Sequence, residues 1–232
     1  MCRSLGLPVG GDSSGSFRRC AVETLRDILD GAAHGVFPPP DGRTTVVPQL
    51  SRRDAGVLNF TAHAVVFLDE DPDWVYAQLG RVDCDMYSAP THPAFLAALL
   101  AHTGRTAETV DAMLLAQPRE GELPLPLREI TDAGHPRVAY ARKRRDDVRV
   151  WRADGGVLVL GRGIGGRLEV SVEVDESVRG RGLGRQLVDA ARYLAGEPVW
   201  AQVAPGNARS QRAFQAAGYV PVGSELLMLS TG

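Results

Sequence analysis

The stretch that decides the fold is Arg179-Gly180-Arg181-Gly182-Leu183-Gly184. It lies between an alternating, strand-like run at 168–174 and a run at 183–195 whose apolar residues have helical spacing. A glycine-rich turn at the start of a helix leaves backbone N–H groups exposed, with no Cβ atoms to block a ligand. Arg179 and Arg181 add positive charge beside it. The stretch therefore predicts a site for a phosphate or pyrophosphate group.

A second glycine motif, Gly161-Arg-Gly163-Ile-Gly165-Gly166, has the Gly-x-Gly-x-x-Gly spacing of a dinucleotide-binding fingerprint. That fingerprint needs a helix directly after it, to bring the helix N-terminus to the pyrophosphate. Here an alternating, strand-like run follows instead. We therefore interpret 161–166 as a β-hairpin turn. A nucleotide-binding oxidoreductase is the alternative that this motif leaves open.

A third motif, Asn207-Ala-Arg-Ser210-Gln-Arg-Ala-Phe214-Gln-Ala-Ala-Gly218-Tyr219, follows the glycine turn. In this order, Arg179-x-x-Gly182-x-Gly184 and Asn207–Tyr219 resemble the GNAT superfamily of acetyl-CoA-dependent N-acyltransferases. The resemblance covers about 145–232. It implies an α/β fold of mixed α+β type, with a mixed central sheet, splayed fourth and fifth strands and helices on both faces.

The resemblance also implies which residues hold acetyl-CoA as co-substrate. The backbone groups of Val172 and Val174 pair with the pantetheine arm like an added strand. Asn207 contacts that arm or caps the following helix, and Ser210 and Phe214 pack, cap or touch the cofactor. The pyrophosphate rests on the backbone amides of Gly180, Arg181, Gly182, Leu183, Gly184 and Arg185, with the side chain of Arg179 or Arg181 nearby.

The implied chemistry is direct attack of an amine on the thioester, with the oxyanion stabilised by backbone N–H groups. An amine with a pKa near 10 is mostly protonated at neutral pH, so a base must remove a proton. Glu169 and Glu173 share one face of the predicted strand at 168–174 and are the candidate bases. The alternative is that both are merely exposed strand positions. Gln202 is a candidate for orienting a water molecule or the substrate.

The sequence departs from the family pattern at two points. Phe214 stands where many members have a tyrosine that can protonate the leaving thiolate, whereas Tyr219 is predicted to pack. Only one strand, about 225–229, is predicted after Gly218, where the family usually has two. The N-terminal half or another subunit is therefore expected to complete the sheet.

Composition limits the class of protein. The chain has 232 residues, 44% of them hydrophobic, and a formal net charge of −2, which gives no reason to expect nucleic-acid binding. Its three cysteines and five histidines have no metal-ligand spacing. No apolar run approaches the roughly 18 residues of a membrane span, and no signal peptide is evident. We expect no metal, no membrane contact and a cytoplasmic location.

The chain is predicted to divide into a mobile tail at 1–18, a helix and linker at 19–43, a small α/β unit at 44–120 and the GNAT-like domain at 125–232. His63 is interpreted as a packed, hydrogen-bonded residue of the α/β unit. Within that unit the patterns predict strands at 45–47 and 62–68 and helices at 71–79, 91–102 and 106–115.

The predicted function is transfer of an acetyl group from acetyl-CoA to a primary amine of unknown identity, carried by a small molecule or a protein. The alternative is an acyl-CoA-binding module that senses or regulates without turnover. A homodimer is possible in either case.

Overall fold

The computed structural model describes residues 23–131 and 134–230. The tail predicted at 1–18 lies outside these residues. The strands are β1 (Thr44–Val47), β2 (Ala55–Phe60), β3 (His63–Phe67), β4 (Val110–Ala116), β5 (Arg128–Ile130), β6 (Asp146–Ala153), β7 (Gly156–Arg162), β8 (Leu168–Val174), β9 (Val199–Val203) and β10 (Val220–Met228). The α-helices are α1 (Leu25–Ala33), α2 (Pro72–Leu79), α3 (Pro93–Thr103), α4 (Pro136–Arg144), α5 (Leu183–Ala195) and α6 (Ala208–Ala216).

These strands form one mixed sheet in the order β1-β3-β2-β10-β4-β9-β8-β7-β6-β5. The pairs β1–β3 and β8–β9 are parallel, and the other pairs are antiparallel. The predicted mixed α/β fold is confirmed. The N-terminal half supplies the strand beside β9, because β4 lies between β9 and β10. Strands from both sides of residue 120 therefore belong to one sheet, and the domain boundary there stays a prediction.

Helices cover both faces of the sheet, as predicted. Successive side chains of a strand point to opposite faces, and the apolar clusters divide accordingly. Helix α5 packs on one face through Leu187, Val188 and Ala191, against Leu158 of β7. Helices α2 and α3 pack over β2, β3 and β10. Helix α1 covers the opposite face through Leu25, Ile28, Leu29, Ala32 and Ala33, and α4 lies over β6 and β7 there through Val138 and Ala141.

Strands β8 and β9 separate along their length. Their parallel pairing consists of Leu168 with Val199 and Glu169 with Trp200. On its other side, β8 stays paired with β7 as far as Val174. A gap therefore opens beside β8 beyond Glu169, as expected for splayed strands.

The structure confirms some local predictions and corrects one. Residues 163–167 connect the antiparallel strands β7 and β8, so the hairpin interpretation is confirmed, with residues 161 and 162 at the end of β7. His63 is buried and both ring nitrogens are bonded, Nδ1 at 2.8 Å from Asp41 Oδ1 and Nε2 at 2.9 Å from Thr45 Oγ1. The helix predicted over 106–115 is wrong, because the central strand β4 begins at Val110. The cause is pairing on both sides with β9 and β10, which no local pattern reveals.

Candidate active site

The glycine turn after β8 leads directly into α5. Gly180 and Gly182 have φ of +82° and +87°, a left-handed conformation that suits glycine. Gly182 is the N-cap of α5, and no side chain of the described residues hydrogen-bonds to the N–H groups of that cap. A Cβ atom at Gly180 or Gly182 would meet nothing within 4 Å. The turn is therefore an open cradle of backbone N–H groups at a helix N-terminus, a geometry that fits a pyrophosphate.

The arginines of the turn differ in their contacts. The Nε of Arg179 donates to the backbone oxygen of Val174 over 3.1 Å. This bond folds the side chain back onto the end of β8. Arg181 and Arg185 are exposed. Three exposed arginines therefore lie beside the N–H groups of the turn, and one of them, Arg179, is bound to the strand end.

At the start of α6, Asn207 is an N-cap. Its Oδ1 accepts from the backbone N–H of Ser210 over 3.1 Å. The capping alternative for Asn207 is therefore what the structure has, and contact with a cofactor stays a prediction. Phe214 is buried, with its ring edge-to-face with Tyr219 at 4.9 Å between centroids. The hydroxyl of Tyr219 donates to Val188 O over 3.0 Å, so Tyr219 packs.

A cleft of about 560 Å³ follows the gap between β8 and β9. Helix α4 and the segment before β4 form further parts of its wall. The residues predicted for the pyrophosphate, 179–185, are not among those that line it. The residues proposed from sequence that do line it are Glu169, Val172, Glu173, Gln202, Asn207, Ser210 and Phe214.

Glu169 is bound into a buried chain of ion pairs. One carboxylate oxygen lies 2.8 Å from the Nε of Arg145, and the other 2.8 Å from the Nε of Arg167. Arg167 in turn lies 2.7 Å from Glu225 and 5.2 Å from the ring centroid of Trp200. Burial by itself raises the pKa of Glu169, but the two guanidinium groups outweigh it and hold that pKa below its usual value. Glu169 is thus an ionised carboxylate with both oxygens engaged.

Arg145 bridges the gap between the two strands. Its Nη1 donates to Ser171 Oγ of β8 over 3.1 Å, and its Nη2 to Gln202 Oε1 of β9 over 3.4 Å. The guanidinium therefore crosses the cleft wall at the point where strand pairing has stopped. It also fixes the amide of Gln202 with the oxygen toward Arg145.

Glu173 lies further along β8 and is more accessible. Its side chain is 38% exposed, and its Oε2 accepts from the Nε of Arg137 over 3.2 Å. The two carboxylates predicted from sequence therefore differ. Glu169 is buried and paired with two arginines, whereas Glu173 is paired with one arginine and is partly exposed to solvent.

The cleft also contains a carboxylate that the sequence analysis missed. Asp111 of β4 lines it, and its Oδ1 is buried without a hydrogen-bond partner among the described residues. Burial, together with the charge of Glu108, raises the pKa of Asp111 to about 6. The available signal was a single acidic residue in the apolar run Val110–Ala116. Most of this run falls within the helix predicted over 106–115, outside the part of the chain that resembles the GNAT family, so the pattern does not single out Asp111.

Comparison with known proteins bears on the C-terminal part of the chain. The model of the "Acetyltransferase (GNAT) family" matches residues 134–219, so the C-terminal part of the chain carries a GNAT acetyltransferase domain. That match spans less than half of the chain. None of the curated proteins compared with the chain matches it.

Three similar solved structures are GNAT-family proteins. A GCN5-related N-acetyltransferase from Kribbella flavida is 20% identical, with a TM-score of 0.37 over 59% of this chain and 64% of that one. An acetyltransferase from Colwellia psychrerythraea is 13% identical (TM-score 0.36; 60% and 63%). A GCN5-related N-acetyltransferase from Sphaerobacter thermophilus is 15% identical (0.36; 59% and 56%). The chain spans less than two thirds of each of these structures.

The described residues contain no group of three or more His, Cys, Asp or Glu side chains that could hold a metal ion. Within the same part of the chain, no helix has the length and apolar character needed to cross a membrane.

Proposed function

We propose that the protein is an N-acetyltransferase that moves an acetyl group from acetyl-CoA to a primary amine by direct attack. The separation of β8 from β9 beyond Glu169 carries this proposal. An extended pantetheine arm can pair with β8 where β9 has turned away, through the backbone of Val172 and Val174. The open glycine turn at 179–184 follows at the end of the same strand.

The pyrophosphate is proposed to bind the amides of residues 180–185, with Arg181 and Arg185 as its counter-charges. The carbonyl of Val174 is already bound by Arg179. We expect Arg179 to release this carbonyl and turn to the phosphates when acyl-CoA binds, since a guanidinium–phosphate bond is the stronger one. The N-cap Asn207, with Ser210 and Phe214, then forms the α6 side of the pantetheine site.

The acceptor amine is proposed to enter the 560 Å³ cleft. Its nitrogen must lose a proton before attack, and the cleft holds carboxylates that can take one. Of the two bases proposed from sequence, Glu173 retains access to solvent, whereas Glu169 is held by Arg145 and Arg167. Glu169 is better suited to holding Arg145 across the gap than to accepting a proton.

The proposal is tested by release of free CoA from acetyl-CoA in the presence of a panel of primary amines, including amino acids, polyamines and a lysine-containing peptide. We expect CoA release that depends on one class of amine, with the acetylated product identified by mass spectrometry. Absence of turnover across the panel, together with micromolar or tighter acetyl-CoA binding, would instead support the second candidate.

That second candidate is an acyl-CoA-binding module without turnover. Two observations favour it. Phe214 has no proton to give to a leaving thiolate, and Arg145 bridges β8 and β9 beside the expected position of the thioester. Whether the acceptor is a small molecule or a protein, and whether the chain is cytoplasmic or dimeric, stay predictions.

A further inference from the structure

Asp111 and Gln202 are near neighbours on one face of the sheet. In the β4–β9 pair, Gln202 lies directly opposite Met113. Asp111 is two residues before Met113, so its side chain points to the same face and is the diagonal neighbour of Gln202. Diagonal neighbours on a sheet lie about 7–8 Å apart, within reach of one small ligand. Both side chains line the cleft.

Each of the two side chains has a buried polar atom without a partner among the described residues: Oδ1 of Asp111 and Nε2 of Gln202. Such atoms are uncommon in folded proteins and need an explanation. One is a hydrogen-bond acceptor and the other a donor. They match a ligand that has an N–H group and an oxygen atom close together, which is what an amine approaching a thioester carbonyl provides.

The charged groups around Asp111 are engaged with one another. On α4 and at its end, Arg137 is bound to Glu173, Arg144 to Glu108 and Arg145 to Glu169. Tyr140 donates to Glu108. From β10, Glu225 faces Asp111 across the strand pair and is bound to Arg167. None of these ion pairs includes Asp111, so its carboxylate is available to bind a cation that enters the cleft.

We propose that Asp111 is the general base of the reaction, taking a proton from the acceptor's ammonium group, while the Nε2 of Gln202 donates a hydrogen bond to an oxygen of the reacting pair. This inference rests on the proposed acetyltransferase function and assigns a residue within it. The general base would then lie on β4, outside residues 134–219, which match the GNAT family model.

Asp111 accepts one proton from the ammonium group and passes it to solvent. The neutral amine then forms a C–N bond with the acetyl carbon, the C–S bond breaks, and the electron pair leaves with the CoA sulfur. The second proton lost by the nitrogen is taken up through water by the thiolate. The products are the N-acetyl amine and CoA.

The environment of Asp111 suits a base. Its pKa, raised to about 6 by burial and by Glu108, lies closer to neutral pH than that of an exposed aspartate and still leaves the group ionised at pH 7. Glu173, the competing candidate, has its Oε2 committed to Arg137.

The experiment compares the wild-type chain with Asp111→Asn, Glu173→Gln and Asp73→Asn between pH 5 and 9, using the amine that supports CoA release. Asp73 is an exposed residue of α2 and is the matched control. We expect the wild-type kcat/KM to rise with pH through an ionisation near 6. Asp111→Asn should lose that ionisation and about 10²–10⁴ of kcat/KM, with acetyl-CoA affinity changed less than twofold. Asp73→Asn should match the wild type.

Three results overturn the inference. In the first, Asp111→Asn keeps the wild-type pH profile and stays within about threefold of its rate. In the second, Glu173→Gln removes the ionisation while Asp111→Asn does not. In the third, the wild type has no ionisation between pH 5 and 7, a result that needs no variant to fold. If the wild type itself releases no CoA with any amine, the proposed function fails and the inference fails with it, which separates that case from a failure confined to Asp111.

Discussion

Two carboxylates in one cleft have opposite electrostatic surroundings. Glu169 touches two guanidinium groups, which hold its pKa down although the side chain is buried. Asp111 has no ion pair among the described residues, and burial raises its pKa. Because partner charges and desolvation act in opposite directions, the same residue class yields a fixed structural anion at one position and a proton acceptor at the other.

Replacing Asp111 by Asn should stabilise the folded chain at neutral pH. The folded-state pKa of about 6 lies above the value of about 4 for an unfolded aspartate. The folded state therefore binds this proton more tightly, and the associated stability is full below pH 4 and lost as pH rises through 6. We expect Asp111→Asn to melt a few degrees higher than wild type at pH 7.5. The part of this difference that comes from the charge of Asp111 should disappear near pH 4. Thermal unfolding across this range measures it, and a variant that melts lower at pH 7.5 contradicts the expectation.

Replacing Gly182 by Asp should abolish acetyl-CoA binding. The new carboxylate would lie against the pyrophosphate of acetyl-CoA. Two unit charges of the same sign about 4 Å apart repel by about 4 kcal/mol near a protein surface, so the affinity for acetyl-CoA should fall at least about 100-fold. Isothermal titration with acetyl-CoA measures the change.

The matched control for that variant is Gly196→Asp at the other end of α5. Gly196 also has a left-handed φ, +65°, and open space around its Cβ position. Both variants place an aspartate in the same strained conformation, but only one faces the proposed pyrophosphate. Equal acetyl-CoA affinity in the two variants would remove the glycine turn from the site.

At the scale of single residues, the sequence predicts the role of residues that depend only on nearby positions in the chain. The glycines of the turn and the cap at Asn207 are set by neighbours within a few positions. Asp111 is different, because its proximity to Gln202 arises from pairing between strands far apart in the chain. No spacing rule connects the two residues.

Among the elements, helix α5 and the β7–β8 hairpin were predictable because their patterns are self-contained. Strand β4 was not, since Ala112, Met113, Leu114 and Leu115 are as compatible with a helix as with a strand. Strand β2 was missed as well. It contains Gly56, where a Cβ would lie within van der Waals overlap of the backbone oxygen of Leu226, so the glycine reflects close packing rather than a turn.

Truncating Leu114 in the middle of β4 should destabilise the whole sheet. This side chain is 1% exposed and belongs to the core cluster that contains Leu158, Leu187 and Tyr219. Leu→Ala at such a position costs about 2–5 kcal/mol, and each kcal/mol lowers the melting temperature by about 2–4 °C for a chain of this size. Leu50→Ala, at a side chain 46% exposed, is the control and should change little. A loss below 1 kcal/mol would show that β4 is not a central strand.

On the scale of the molecule, contacts join the two halves at several places. Arg53 binds Asp146 through two bonds of 3.1 Å. The Nε of Arg192 donates to the backbone oxygen of Gln117 over 2.8 Å, and β10 pairs with β2 and β4. The predicted units 44–120 and 125–232 therefore share one sheet.

Thermal unfolding of the full chain should accordingly be a single cooperative transition. We expect the calorimetric and van't Hoff enthalpies to agree, and circular dichroism to follow the same curve as tryptophan fluorescence. Saturating acetyl-CoA should move that whole transition upward. Two transitions, of which only one responds to acetyl-CoA, would support units that unfold separately.

The position of β10 has a consequence for how the chain is made. Its partners β2 and β4 emerge from the ribosome first, and at about 5–20 residues per second they wait several seconds for it. During that interval the edges of β2 and β4 that later pair with β10 are unpaired, and Arg167 cannot yet form its ion pair with Glu225. Nascent chains halted before residue 220 therefore expose surfaces prone to edge-to-edge association.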